Sequence, residues 1–272
     1  MSTQEIVSSP NLKELSTTYE KGQYTLWQIL GIWALAALPM GLIMWVVVPL
    51  LIPHVDMEPG FLFFILMALG LVWQGILAYI ILRREVKPFT WENIKARLWL
   101  YTPADPRTGI RSNRSYLWTI PLIVFSQGYY ALDVLGGLDE LWVKTFPFLA
   151  PRPYAVIQNV AEPIVGQWWM LGVLAIMLVF NYLLGEELIF RGILLPKMNG
   201  VFGKWDWIAN GILFSTYHLH RIWGLPSTLF IDWIYPWAAK RFHSYWVAVI
   251  LHAVDGVILV VLFPMAIMGL LS

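Results

Sequence analysis

The chain contains no cysteine and has few charged residues for its length. Only 13% of its 272 residues are Asp, Glu, Lys or Arg, against about 25% in ordinary soluble domains. The absence of cysteine excludes disulfide bonds, thiolate nucleophiles and cysteine-ligated zinc. A net charge of +1 offers no basic field for nucleic acid, so we expect no nucleic-acid partner.

Apolar residues make up most of what is present. They account for 58% of the chain, and the mean hydropathy is +0.64, which predicts an all-α, multi-pass integral protein of the cell membrane, with the lipid bilayer as its surroundings. Residues 1–24 are polar and lack the basic start and apolar middle of a signal peptide, so we expect them to form a polar cytoplasmic segment.

Seven apolar runs approach the roughly 20 residues that a membrane span needs. Pro264 could divide the last run into two helices, so the sequence predicts a bundle of seven to eight transmembrane helices. We expect the first helices and loops in 25–166 and a catalytic helical core in 167–272. The runs are Leu26–Ile52, Phe61–Leu82, Tyr116–Leu132, Trp168–Leu195, Trp205–Leu219, Leu225–Ala239 and Tyr245–Leu262, with an apolar tail to Leu271.

The distribution of Lys and Arg predicts the orientation of the bundle. The stretch from Arg83 to Arg114 carries eight basic residues against three acids, whereas the loop after the first run has no Lys or Arg. The positive-inside rule therefore predicts that the basic loop and the N-terminus are cytoplasmic. The segment Asp133–Gly166 is then expected on the other side.

Ionisable residues inside apolar runs are costly and indicate a functional site. Glu186, His218 and His252 lie roughly 17, 21 and 17 Å from the cytoplasmic ends of their helices, at about 1.5 Å per residue. Three helices thus place an acid and two imidazoles at nearly one depth. Taken alone, each of the two histidines fits a hydrogen bond between helices equally well.

The adjacent glutamates have different predicted roles. Glu187 and Arg191 are four residues apart, so they share a helix face and can form an ion pair. Glu186 is turned about 100° from Glu187 at 3.6 residues per turn, which leaves it free to face a cavity as a general base. A structural cluster that only joins helices is the alternative for all three residues.

Three short motifs in this order resemble those of a known family. "EELIFR" (Glu186, Glu187, Arg191), "FSTYH" (Phe214, His218) and "HAVDG" (His252) are similar to EExxxR, FxxxH and Hxxx(N/D) of the CAAX-protease and bacteriocin-processing family. The family is also called the type II CAAX prenyl endopeptidase or abortive-infection family. The similarity covers Trp168–Leu262.

The resemblance implies an intramembrane endopeptidase of about eight helices with a cavity open to the cytosol. Glu186 and His218 would activate a water, and His252 with an amide side chain would stabilise the oxyanion. The family is also classified in places as metallo-endopeptidases. Glu186, His218 and His252 could hold zinc. The chain has no HExxH pair, however. The sequence therefore does not establish a cofactor.

The chain departs from the family pattern at one position. Four residues after His252 it has Gly256, where the family has Asn or Asp. Asp255, one place earlier, would serve an oxyanion only if protonated, or would instead orient His252. Asn210 is a possible substitute donor, and Asp232 is an unexplained acid in an apolar run.

The expected partner is a peptide or membrane-protein substrate, either lipidated or without a lipid. Prenylated proteins, bacteriocin leaders, signal peptides and anti-sigma factors all remain open. The alternative function is a non-catalytic membrane immunity or scaffold protein with the same bundle, which Gly256 favours. A proton-coupled transporter would require broken helices in matching halves, which the sequence does not show.

Overall fold

The fold is known from a computed structural model, which describes residues 22–160 and 162–270. The polar segment expected at 1–24 therefore lies almost entirely outside the described residues, as does the end of the apolar tail. The described part is 78% helical and has no strand, which confirms the all-α prediction. We label the helices of at least seven residues α1 (Leu26–His54), α2 (Pro59–Glu85), α3 (Trp91–Leu98), α4 (Thr119–Ala131), α5 (Gly136–Thr145), α6 (Met170–Lys197), α7 (Asp206–Tyr217), α8 (Leu225–Ile231), α9 (Ile234–Phe242) and α10 (Tyr245–Ile267).

Four of these helices, α1, α2, α6 and α10, are long and apolar enough to cross a membrane. The other three predicted spans form shorter helices: α4 has 13 residues, α7 has 12, and the run Leu225–Ala239 divides into α8 and α9 around Asp232. Each is shorter than the roughly 20 residues that span a hydrocarbon core. The count of seven to eight spans is therefore not confirmed.

The ends of the first two helices follow from their capping residues. Thr25 and Gln28 form a capping box in which each side chain accepts a hydrogen bond from the other residue's backbone N–H. Glu58 caps α2, and Pro59 occupies its first position, where no N–H is needed. These local signals fix where the two helices begin.

Helix α6 changes geometry on both sides of the two glutamates. Phe180–Leu184 and Leu188–Leu194 are π-helical, and Gly185 lies between them with φ −115° and ψ −91°. A β-carbon at Gly185 would lie 3.1 Å from the Leu71 carbonyl oxygen of α2, so glycine is needed for this close approach. π-Turns inside helices are frequent at functional sites.

A buried arginine fixes the second π-helical segment from the loop side. Arg97 of α3 donates to the carbonyl oxygens of Gly192 and Ile193, each at 3.0 Å, and to Glu85 at 2.8 Å. The α-helical partner of the Gly192 carbonyl would be the N–H of residue 196, but Pro196 has none, so the guanidinium supplies a donor there. This contact ties α2, α3 and α6 together at the basic end of the bundle.

Candidate active site

An open cavity of about 690 Å³ lies between the helices, and four predicted site residues line it. Glu186 comes from α6, His218 follows α7, and His252 and Asp255 come from α10. Glu187 and Arg191 are fully buried directly behind this wall. The structure thus brings all six predicted residues into one region of the bundle.

The carboxylate of Glu186 is held in place by neighbouring donors. Tyr217 donates its hydroxyl hydrogen to Oε1 at 3.0 Å. The side-chain nitrogen of Asn181, with the amide oriented to satisfy its neighbours, donates to Oε1 at 2.7 Å and Oε2 at 3.1 Å. Gln74 of α2 in turn donates to the Tyr217 hydroxyl at 2.5 Å. Glu186 therefore has little rotational freedom. Only 3% of its surface is exposed.

Sequence reasoning missed Asn181 because of the π-turn. In an α-helix, residues five apart point about 140° away from each other. Here Gly185 N–H bonds to the Phe180 carbonyl at 2.7 Å, the i to i+5 pattern that brings residues five apart onto one face. Asn181 consequently lies against Glu186. Tyr217 was also missed, although it directly precedes His218 in the "FSTYH" motif.

His218 presents one ring nitrogen to Glu186. Its Nδ1 lies 2.9 Å from the Phe214 carbonyl oxygen, which can only accept, so Nδ1 carries a hydrogen. Its Nε2 lies 3.9 Å from Glu186 Oε2, too far for a direct hydrogen bond. When the His218 ring is neutral, its Nε2 and the Glu186 Oε2 are both acceptors. A small molecule with two donor hydrogens can bridge these two atoms.

Glu187 makes the ion pair that the helix spacing predicts. Its Oε1 lies 2.9 Å from Arg191 Nη1 and 3.0 Å from His252 Nδ1. Since a carboxylate only accepts, Nδ1 of His252 donates to it, and Nε2 is left for other partners. Glu187 is thus the residue that orients His252.

The Arg191 guanidinium is stabilised mainly by charge and by aromatic rings. Its carbon lies 3.9 Å from the centre of the Phe214 ring and 5.2 Å from that of Tyr235. Among the described residues, no side-chain nitrogen of Arg191 has a hydrogen bond of acceptable geometry, despite the short distance to Glu187. A buried cation over aromatic faces gains about 2 kcal/mol or more from each good contact.

Asp255 lines the same cavity but does not contact the ring nitrogens of His252. Its Oδ1 accepts from Gln127 at 2.7 Å, and its Oδ2 accepts from the Tyr235 hydroxyl at 2.5 Å. The proposed role of Asp255 in orienting His252 is therefore wrong, because Glu187 occupies that position. Asp255 instead connects α4, α9 and α10.

Gly256 provides space for an aromatic ring. A β-carbon at Gly256 would lie 2.6 Å from both Cζ and the hydroxyl oxygen of Tyr182, well inside van der Waals contact. The Tyr182 ring also meets His252 edge to face, with ring centres 4.8 Å apart. Tyr182 thus occupies the space that a side chain at position 256 would need, which accounts for glycine where the family pattern has Asn or Asp.

We therefore expect Gly256→Asn to damage the protein, although it introduces the residue that the family pattern has. The asparagine side chain would displace Tyr182, and overpacking of this kind typically costs about 1–3 kcal/mol. Thermal unfolding should show a lower midpoint, and Tyr182→Ala in the same chain should restore part of it. An undiminished midpoint for Gly256→Asn alone would contradict this packing.

Two other predicted candidates have structural partners. Asn210 is fully buried and donates to the Phe190 carbonyl oxygen at 2.8 Å; it does not line the cavity, so it is not the substitute oxyanion donor. Asp232 does line the cavity and accepts from Ser215 at 2.9 Å. Asp232 thus links α7 to the break between α8 and α9.

Zinc binding by Glu186, His218 and His252 stays a prediction. Nδ1 of His252 binds Glu187, which leaves its Nε2 for another partner, and His218 Nε2 is 3.9 Å from Glu186 Oε2. In the part of the chain that the structure describes, no group of three His, Asp or Glu side chains is placed to hold a metal ion.

The cavity extends away from the basic loops. Beyond Glu186 and His252 it is lined by Asp139 of α5 and by Trp223, which belong to the end of the bundle opposite Arg83–Arg114. Glu186 and His252 lie at the inner end of this cavity.

Comparison with known proteins supports the resemblance seen in the motifs. Residues 166–258 match the family described as Rce1-like, type II CAAX prenyl endopeptidase Rce1-like. No curated protein and no solved structure matches the chain. The matched segment contains Glu186, His218 and His252. Residues 166–258, about a third of the chain, are therefore similar to the Rce1-like family of type II CAAX prenyl endopeptidases.

Proposed function

We propose that the protein is an intramembrane endopeptidase that hydrolyses a peptide bond with a water activated by Glu186 and His218. One observation carries the proposal: the 3.9 Å gap between Glu186 Oε2 and His218 Nε2, in the wall of an open cavity. Asn181 and Tyr217 hold the Glu186 carboxylate, and the Phe214 carbonyl oxygen holds the His218 ring. The gap suits a water that donates one hydrogen to each acceptor.

Hydrolysis then follows from the placement of these groups. As the water oxygen bonds to the peptide carbonyl carbon, Glu186 accepts one of its protons. The resulting oxyanion needs a donor, and Nε2 of a protonated His252 can supply it, since Nδ1 already binds Glu187. Glu186 returns its proton to the leaving amine as the C–N bond breaks, which yields a carboxylic acid and an amine.

The proposed substrate is a peptide or a segment of a membrane protein, with or without an attached lipid. The cavity is lined in part by four helices that are long and apolar enough to cross a membrane, which supports a scissile bond in or close to the membrane. The apolar part of the lining, which includes Phe63, Met67 and Leu174, is suited to an apolar side chain or a lipid chain.

The test uses Glu186→Gln, which keeps the shape of the side chain and removes its ability to accept a proton from water. In cells that make this variant, we expect at least one membrane peptide to accumulate uncut, as detected by quantitative proteomics. Glu140→Gln is the matched control, because Glu140 is an exposed carboxylate of α5. If both variants give the wild-type peptide profile, the protein is the non-catalytic scaffold instead.

A further inference from the structure

Tyr182 brings a phenolic hydroxyl into the cavity beside His252. Its side chain is half-buried and belongs to the cavity lining. The ring meets the His252 ring edge to face, with centres 4.8 Å apart, and the hydroxyl contacts the side-chain amide of Asn181. That amide also binds the Glu186 carboxylate. The Tyr182 hydroxyl therefore lies next to His252 and next to the group that holds Glu186.

Gly256 leaves room for this hydroxyl on the side of α10 that carries His252. Residues four apart share a helix face, so position 256 lies one turn beyond His252 on the same side. A β-carbon at Gly256 would lie 2.6 Å from the Tyr182 hydroxyl oxygen. The backbone of Gly256 has φ −82° and ψ −12°, a conformation that most residues can adopt. The glycine is therefore needed for the space it leaves to Tyr182, not for its backbone conformation.

Other donors of the lining already donate to fixed acceptors. They are Tyr235 and Gln127, which both donate to Asp255, and Ser227, whose hydroxyl donates to the Gly224 carbonyl oxygen. A phenol keeps its proton at neutral pH, so the Tyr182 hydroxyl can donate to a negative charge that develops beside His252.

We propose that Tyr182 is a catalytic residue whose hydroxyl donates to the oxyanion together with Nε2 of His252. The inference rests on the proposed function. As the water oxygen bonds to the carbonyl carbon, an electron pair of the C=O double bond moves to the carbonyl oxygen, which accepts one hydrogen bond from each donor. Tyr182 keeps its proton throughout. The charge returns to the carbon–oxygen bond when the C–N bond breaks.

Tyr182→Phe tests the hydroxyl alone, because the ring that packs on His252 and Gly256 is kept. We expect kcat on the peptide identified in the cell comparison to fall on the order of 10²- to 10³-fold, the usual cost of losing one oxyanion donor. KM and the thermal unfolding midpoint should stay at their wild-type values. Tyr79→Phe is the matched control, since Tyr79 is 56% exposed and lies outside the cavity lining. A wild-type kcat for Tyr182→Phe, or a loss confined to KM, would overturn the proposal.

Moving the donor to another residue separates its chemistry from packing. Tyr182→Ala empties the space, and Gly256→Asn in the same chain places an amide donor there. Gly256→Leu with Tyr182→Ala fills the space with a side chain of similar shape that cannot donate. We expect kcat of the chain with asparagine to exceed that of the chain with leucine by about tenfold or more, a part of one donor's contribution. Equal kcat values would show that Tyr182 only fills space, and the proposal would be wrong.

Glu186→Gln distinguishes a failure of this proposal from a failure of the proposed function. Wild-type cleavage by Glu186→Gln would overturn the proposed hydrolysis and the role of Tyr182 with it. Loss of cleavage in Glu186→Gln together with a wild-type kcat in Tyr182→Phe would overturn the role of Tyr182 alone.

Discussion

Glu186→Gln, His218→Gln and the chain with both substitutions are expected to cleave at the same residual rate. Each rate should be on the order of 10²- to 10⁴-fold below the wild type, the usual contribution of a positioned acid or base. The reason is that Glu186 and His218 face one gap of 3.9 Å and act on one water. Removal of either group removes the activation, so the second substitution has nothing left to remove.

The measurement is kcat/KM of purified protein on the peptide that the cell comparison identifies. His54→Gln and Glu140→Gln are the matched controls, because both side chains are exposed and lie outside the cavity. They should retain the wild-type rate. If the two losses multiply in the double variant, Glu186 and His218 act in separate steps, and the shared-water mechanism is wrong.

The motifs predicted the region of the site because polar residues are rare in these apolar runs. Glu187 and Arg191 are paired as the i, i+4 rule requires. Glu186 and His252 line the same cavity because each lies on the inner face of its helix. Motif order and helix periodicity sufficed for these side chains. Arg191 lies in the π-helical segment Leu188–Leu194, yet it still reaches Glu187.

The support of Glu186 could not be predicted in the same way. Asn181 reaches Glu186 only because Phe180–Leu184 is π-helical, and a wheel drawn at 3.6 residues per turn places the two side chains apart. Gln74 reaches Tyr217 from another helix, and a contact between distant segments has no signal in one sequence. Tertiary packing decides both contacts.

Two larger features also depend on packing. Apolar length predicted α1, α2, α6 and α10 correctly, but it does not show that Leu225–Ala239 breaks at Asp232. Depth along a helix places Glu186 and His252 at one level but leaves open the side from which they are reached.

Arg191→Met is expected to destabilise the protein by about 3–5 kcal/mol, the usual cost of removing one partner of a buried ion pair. Both Arg191 and Glu187 are fully buried. Without the arginine, the Glu187 carboxylate would keep only His252 as a partner. The Phe214 ring would also lose the cation that lies 3.9 Å from its centre.

The change is measured as the free energy of unfolding in detergent, and Arg107→Met is the control. Arg107 is exposed, and substitutions at such surface positions usually stay within about 0.5 kcal/mol. A cost for Arg191→Met no larger than for Arg107→Met would show that the pair does not hold α6 in place.

Glu187→Gln combined with Arg191→Met should recover most of the lost stability. A neutral amide removes the unpaired buried charge, and its oxygen can still accept from His252 Nδ1. Replacing both members of a buried pair by neutral groups is often close to neutral. Activity should not recover with stability, because a neutral glutamine holds a protonated His252 less well than a carboxylate does. Separate responses of stability and cleavage would show that Glu187 contributes to both.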